Sequence, residues 1–399
     1  MSALSKNPLI LPVYVPTFLL SLSRGIIIPI LPLYARSFDI SYALIGVILA
    51  AEGIGSIIGD LPTSVLINKL GRKHAMIIGV LAVAISGIGL FFAPSVLAVI
   101  LLRLVSGIGA SIWNISRHAY ITAVTLPHQR GRTLAVFGGV NRIGSFAGPA
   151  VGGILAAAYT VRVPFLAFGG IAVLASIVAA LVVERSDQPV AIPQKGHLRH
   201  IAGIFQSHYR ILCTAGLGQL FAQTIRSGRT VMVPLFGADV LGLGYEDVGY
   251  IVSISGLVDM LLFPVAGILM DRWGRKFAMI PCFAIQAVGM ALIPMTGSFA
   301  ELLAATCLIG IGNGLGSGTM MTLGADLAPK EHMGEFLSFW RLIGDGGQMG
   351  GPMIVGQVAD IVGLSPAAFV IAGMGLAASA IFLFFVPETL QKHPPSAVP

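Results

Sequence analysis

Few side chains in this sequence are charged, and those that interrupt long apolar runs are the ones placed to do chemistry. Seven arginines stand within such runs: Arg24, Arg103, Arg117, Arg142, Arg226, Arg229 and Arg341. The carboxylates there are fewer, namely Glu52, Asp60, Asp259 and Asp345, with Asp326 at or beyond the end of a run. In a bilayer an ionisable group costs on the order of 3 kcal/mol unless it is paired or hydrated, so each is a functional candidate by default. A carboxylate held away from bulk water can take up and release a proton. Guanidinium forks suit carboxylate and phosphate. The surplus of arginine implies a positive cavity, or one whose charge an anion completes. No His-Glu-x-x-His pattern, Walker loop or nucleophile–base arrangement is present, so the sequence implies no metal, no cofactor, no ATP-driven step and no enzyme.

The elements that must hold these groups follow from composition. Of 399 residues, 56% are hydrophobic and 10% charged, against roughly 25% charged in a soluble domain. Mean hydropathy is +0.90. Glycine, at 50 residues, is in excess, as expected where helices pack closely in lipid. Soluble, disordered and disulfide-scaffold classes fit poorly, and a polytopic membrane protein remains. The net charge of +7 does not imply nucleic acid, because the basic residues lie at helix ends. Cys213, Cys282 and Cys307 all fall in apolar stretches, an odd number without the spacing of a disulfide or metal site. Lys6 is followed by a long apolar run without a cleavage pattern, which reads as a first, uncleaved membrane helix.

Apolar runs fall at 9–34, 43–67, 74–93, 95–121, 133–158, 162–183, 210–236, 245–270, 277–296, 299–325, 334–358 and 365–386, numbered here as spans 1 to 12. The polar gap at 184–209 divides them into two sets of six. The expected units are an N-terminal bundle at 1–184, a linker at 185–209 and a C-terminal bundle at 210–399. The histidines of the linker, His197, His200 and His208, read as solvated loop residues, and His118 as a span terminus. Fifteen of the 24 basic residues lie on the loops of the N-terminal side, while the opposite loops hold only Arg36 and Arg162. The positive-inside rule then places both termini and the linker in the cytoplasm.

The two halves also repeat each other. Gly71-Arg72-Lys73 matches Gly274-Arg275-Lys276, Gly107-Ile108-Gly109 matches Gly310-Ile311-Gly312, and Gly148-Pro149 matches Gly351-Pro352. An even number of spans per half makes the repeat parallel, about an axis along the membrane normal, with a substrate site near the midplane between halves. The expected fold class is therefore an all-α membrane protein of twelve transmembrane helices, two six-helix bundles related by a parallel pseudo-two-fold repeat.

The loop after span 8 reads Gly267 to Lys276 with Asp271, Arg272, Gly274 and Arg275 in it. A carboxylate at a helix end can pair with arginine and hold two helices together on one side. A loop that only orients the chain is the plainer reading. The string resembles the loop signature of the major facilitator superfamily. In the first-half copy, which keeps Arg72, the family's Gly and Asp are Ser64 and Asn68. Span 4, with Arg103, Gly107 and Gly109, resembles the Arg-containing motif of proton-coupled members. Span 5, with Gly144, Gly148, Pro149, Gly152 and Gly153, is similar to the Gly-Pro motif of exporters, although generic small-residue packing gives the same spacing. Pro29 to Tyr34 is similar to the P-x-x-P of the twelve-helix drug–proton antiporter branch.

The resemblance implies a secondary active transporter, a proton-coupled exporter of small organic or amphiphilic compounds by alternating access. Its partners would be a small-molecule substrate, protons and the lipid bilayer, without nucleic acid. It would act as a monomer in the inner membrane of a bacterium-like cell. Glu52, about 13 Å into span 2 at 1.5 Å per residue, is the first candidate to carry the proton, and Asp60 the second. Arg103 would tune either one, and Asp259 is a further candidate. Substrate contact is assigned to Arg24, Arg226, Arg229, Asn114 and Gln223, with Trp113 also near the cavity. Arg24 and Arg226 occupy equivalent places on spans 1 and 7, so they either face each other across the cavity or pair internally with Glu52 or Asp259. Arg142 and Asp345 are equivalent on spans 5 and 11. They either form a gate pair or each pair within their own half, Arg341 being one turn from Asp345. The alternatives are an organic-anion or phosphorylated-metabolite antiporter using Arg24 and Arg226, and a non-transporting membrane sensor.

Overall fold

The computed structural model describes residues 10–125, 130–183 and 197–390. Lys6, Arg185, Lys195 and Lys392 lie outside the described residues. Long helices account for all twelve spans, and no strand occurs among the described residues. Among the described residues, nine stretches are long and apolar enough to cross a membrane by length and composition alone. The remaining spans are the helices Arg130–Ala158, His197–Asp239 and Met333–Val362. The helix of span 7 starts at His197, so the segment read as a linker is helical over its last part.

Local sequence explains the breaks. Span 1 is divided into Val15–Ile27 and Ile30–Arg36, because Pro29 and Pro32 cannot donate helical hydrogen bonds. Spans 2 and 3 run together as Tyr42–Phe92 except at Gly71, which has φ 79°. In the second half Gly274, with φ 120°, separates Tyr245–Arg272 from Arg275–Leu292. Those backbone angles are open to glycine and strained for other residues. Ser95 and Ser298 are equivalent extended N-caps, accepting from the amides of Ala98 and Glu301 at 3.4 Å each. They start spans 4 (Val96–Val124) and 10 (Phe299–Leu315, continued by Thr319–Leu327). Span 6 is Val163–Val182, and span 12 is Leu364–Phe384.

In the first half, span 1 packs on spans 5 and 6, and spans 2 and 3 on spans 4 and 6. In the second, span 7 packs on 11 and 12, and span 10 on 8 and 9. The halves meet where span 2 lies on span 11 and span 5 on span 8. Both crossings use glycine. A Cβ at Gly46 would stand 2.5 Å from the Pro352 carbonyl oxygen, and one at Gly249 would stand 2.6 Å from that of Pro149. Gly148 and Gly351 also abut Gly25 and Gly228 within their own halves. Each Gly-Pro motif is thus gripped by two helices. Gly144 continues this face, with Ser21 and Leu22 of span 1 against it. The amide of Ala150, next to Pro149, donates across the halves to Ser253 Oγ at 2.8 Å. The outer surface is apolar, with Leu181 79%, Ile361 80% and Phe384 75% exposed, a face suited to lipid rather than water.

Candidate functional site

Glu52 is the centre of the first-half cluster. Its carboxylate accepts from Arg103 on span 4 and lies 3.9 Å from Arg24 on span 1. Gly107 makes the first contact possible. It sits one turn beyond Arg103 and lets span 4 rest on the backbone carbonyl of Glu52 itself. A larger residue would push the helices apart and withdraw Arg103.

Asp259 on span 8 is the second centre, and its side chain is 12% exposed. Arg142 of span 5 donates to it at 3.0 Å, Asn313 of span 10 at 2.6 Å, and Arg229 of span 7 stands 3.8 Å away. Arg142 also donates to Ser317 Oγ at 2.8 Å and stacks over Phe263 at 4.5 Å. An arginine of the first half is therefore seated wholly on groups of the second.

Asp60 accepts from Ser111 and stands 3.7 Å from Arg341 of span 11. Arg341 in turn lies 3.6 Å from Asp345, one turn along its own helix. The gate pair weighed for Arg142 and Asp345 is accordingly not formed: Arg142 goes to Asp259, and Asp345 pairs within its helix. Proximity along a helix satisfies Asp345 without any cross-membrane reach.

At the end carrying the Gly71 and Gly274 turns, Arg275 bonds to Asp271 Oδ1 at 3.1 Å, Asp326 Oδ2 at 3.0 Å and the Met270 carbonyl at 2.8 Å. Glu388 accepts from the amides of Arg275 (2.8 Å) and Lys276 (3.0 Å). Arg272 is exposed and Arg72 buried. At the opposite end Asp239 pairs with Arg36 and accepts from the Tyr42 hydroxyl at 2.8 Å. Asp360 accepts from the amides of Tyr42 and Ala43 at 2.8 and 2.9 Å, capping span 2 from the other half. Sequence reasoning missed Asp239 and Asp360, which look like ordinary loop charges beside the apolar runs.

Arg24 and Arg226 belong to separate clusters. Arg24 reaches Glu52, whereas Arg226 donates to the Gly316 carbonyl at 3.0 Å, lies 3.8 Å from Cys282 Sγ and stacks over Phe283 at 5.1 Å. Gln223 lies against Gly344 and Gly347 of span 11. Asn114 accepts from Arg117 at 3.0 Å. Asn141, Ser111, Asn313 and Ser317 also join these clusters without having been singled out. Their only signal was an uncharged polar side chain inside an apolar run.

The sequence profile described as Major Facilitator Superfamily matches residues 13–258 and 215–399. The multi-drug resistance efflux pump PmrA of Streptococcus pneumoniae is 25% identical over 388 residues, covering 94% of this chain and 95% of PmrA. The multidrug resistance protein MdtG of Enterobacter lignolyticus is 26% identical over 384 residues, covering 92% and 90%. Among solved structures, the nucleoside transporter NupG superposes with a TM-score of 0.80 over 94% of this chain and 99% of its own, at 12% identity, a likeness of fold.

Proposed function

This chain belongs to the Major Facilitator Superfamily, and from that premise we propose that it is a proton-coupled exporter of small organic or amphiphilic compounds. It is an integral, multi-pass transporter of small molecules. The finer reading places it as a monomer in the inner membrane of a bacterium-like cell, with both termini in the cytoplasm. Its two working units are residues 1–184 and 210–399, joined through 185–209.

One observation carries the proton-coupled reading: Glu52 sits between Arg103 and Arg24 in the interior of the first half. Protonation removes the negative charge that holds both guanidiniums. Arg24 is then free to turn toward substrate, and Arg103 loses its tether to span 2. Loss of the proton restores the cluster. Charge at Glu52 and occupancy of the cavity are thus exclusive, which is the requirement for exchange. Asp60 and Asp259 have the same chemistry, and each is also tied to an arginine of the opposite half, Arg341 and Arg142. Those pairs must break whenever the halves rock apart, so they act as gates. The Gly144, Gly148 and Pro149 face gives span 5 the bend and close fit to follow that motion. Asp271, Arg272, Arg275 and Arg72 act at the Gly274 and Gly71 turns.

The likeness to PmrA, a multi-drug resistance efflux pump, supports export as the direction, and PmrA together with the multidrug resistance protein MdtG supports multiple compounds as cargo. Anion antiport through an Arg24–Arg226 pair is disfavoured by their separate partners. Purified protein in proteoliposomes, loaded with a fluorescent lipophilic dye and given a pH gradient, tests the proposal. Dye should move uphill only while the gradient lasts. Transport unaffected by an uncoupler would overturn proton coupling.

A further inference from the structure

Arg117 has no task in this scheme. It is 6% exposed, on span 4, beside a cavity of about 30 Å³ enclosed by spans 1, 3, 4 and 5. Thr17, Arg24, Trp113, Asn114 and Asn141 line the same space. The Arg117 guanidinium lies over Phe137 at 4.3 Å and Trp113 at 5.4 Å. It donates to Asn114 Oδ1, and its Nε has no acceptor. Among the described residues no carboxylate lies within ion-pair reach of it. Asn141 uses its carbonyl oxygen to accept from Ser21 at 2.5 Å. Asn114 and Asn141 therefore turn their acceptors to the protein and keep their amide N–H groups for something else. Thr17 Oγ1 is buried without a partner. Glu52, outside this lining, stands 3.9 Å from Arg24 and shares its charge with Arg103, so it only partly offsets Arg24.

The lining is thus a set of donors around two guanidiniums, without a negative charge of its own. Its volume exceeds the ~10–15 Å³ that one water needs and is far below the roughly 300 Å³ of a whole drug site. That is room for a compact anionic group whose remaining molecule lies outside. Arg24, with a side chain 38% exposed, marks the mouth.

We propose that this cavity is a carboxylate subsite, holding the acidic group of an organic anion while its apolar body lies outside the cavity, beyond the mouth at Arg24. The assignment rests on the transport reading above and narrows its substrate class. Two planar forks and two amides supply paired donors, which match the two oxygens of a carboxylate better than a spherical ion. Arg117 carries the recognition. Its aromatic seat holds the cation in place without neutralising it.

The test is equilibrium binding of radiolabelled benzoate to the purified full-length protein in nanodiscs, at one pH and without a gradient. Benzoate should bind saturably, and neither benzamide, its neutral analogue, nor a hundredfold excess of chloride should displace it. Arg117→Gln should weaken binding at least tenfold, whereas Arg210→Gln, at an exposed arginine outside the cavity, should leave it within twofold. Asn141→Ala is a second variant should Arg117→Gln not fold, and it should weaken binding severalfold. Absence of benzoate binding, displacement by benzamide, displacement by chloride (an inorganic-anion site) or unchanged binding in the folded Arg117→Gln variant would each overturn the proposal. Because no gradient is used, failure here leaves proton-driven dye flux standing, and failure of that flux leaves this binding to be read separately.

Discussion

Arg142 on span 5 and Asp259 on span 8 form a 3.0 Å ion pair across the two halves of the molecule. Residues joined in one network show coupled effects, whereas distant ones add. Arg142→Ala and Asp259→Ala should each reduce transport about tenfold or more. The double variant should lose little beyond either single one. Initial flux rates in proteoliposomes measure this, and simple multiplication of the two losses would show that the pair does not act as a unit.

Glu52→Gln should abolish uphill transport driven by a pH gradient, while downhill flux of the same dye falls only a few-fold. Arg103→Ala leaves the Glu52 carboxylate with Arg24 alone, 3.9 Å away. The expected loss of stability is on the order of 2–3 kcal/mol, below the full range for breaking a buried pair because one partner remains. A thermal unfolding scan reads the second effect. An unchanged melting temperature would mean that Arg103 is not what compensates Glu52.

The halves are closed at the Tyr42 end by glycines. Gly46→Val and Gly249→Val would thrust a side chain into the Pro352 and Pro149 carbonyls. Both should shift spin-label distances across that end to longer values and slow transport at least tenfold. Gly170→Val on span 6, where an added Cβ meets nothing within 4 Å, should do neither. Equal behaviour of all three would remove the glycine crossings from the gating scheme.

Glu388 supplies a pH-dependent clamp on the Gly274 turn. Burial raises its pKa, but the amides of Leu390, Arg275, Lys276 and Thr389 outweigh that and hold the carboxyl below its ordinary value. A depressed pKa means stabilisation that is complete above the ordinary carboxylate range and lost as pH falls through the lowered value. Glu388→Gln should therefore cost about 0.5–1 kcal/mol at pH 7, the modest range of exposed charges. The difference from the wild type should shrink as pH falls below the ordinary carboxylate value of about 4.3 toward the lowered one. Melting temperatures at pH 7 and pH 3.5 check this, and a gap of the same size at both would refute the clamp.

Much of the architecture is legible in the sequence. Twelve apolar runs and the offset repeat define the helices and which spans of the two halves correspond, because a chain in lipid must satisfy its backbone within each helix. Gly71 and Gly274 were visible as turn residues for the same local reason. Glu52 stood out as a carboxylate near the middle of span 2 from its position, and Arg103 as a group near it from its place in a motif resembling the family's, and the two side chains do meet.

Which charge meets which was decided only by the tertiary structure. From the repeat, Arg142 and Asp345 were as plausible a couple as any, as were Arg24 and Arg226. The folded chain instead sends Arg142 to Asp259, keeps Asp345 with Arg341, and divides Arg24 from Arg226 between two clusters. Arg117 was one arginine among seven in the apolar runs, and only packing surrounded it with Phe137, Trp113 and Asn114, with no carboxylate within ion-pair reach among the described residues. The physical reason is range. Apolar runs, caps and turns act over a few residues of chain and leave their mark on sequence. An ion pair depends on a few ångströms between helices, and that distance is set by glycine contacts such as Gly107 on the Glu52 carbonyl and Gly249 on that of Pro149.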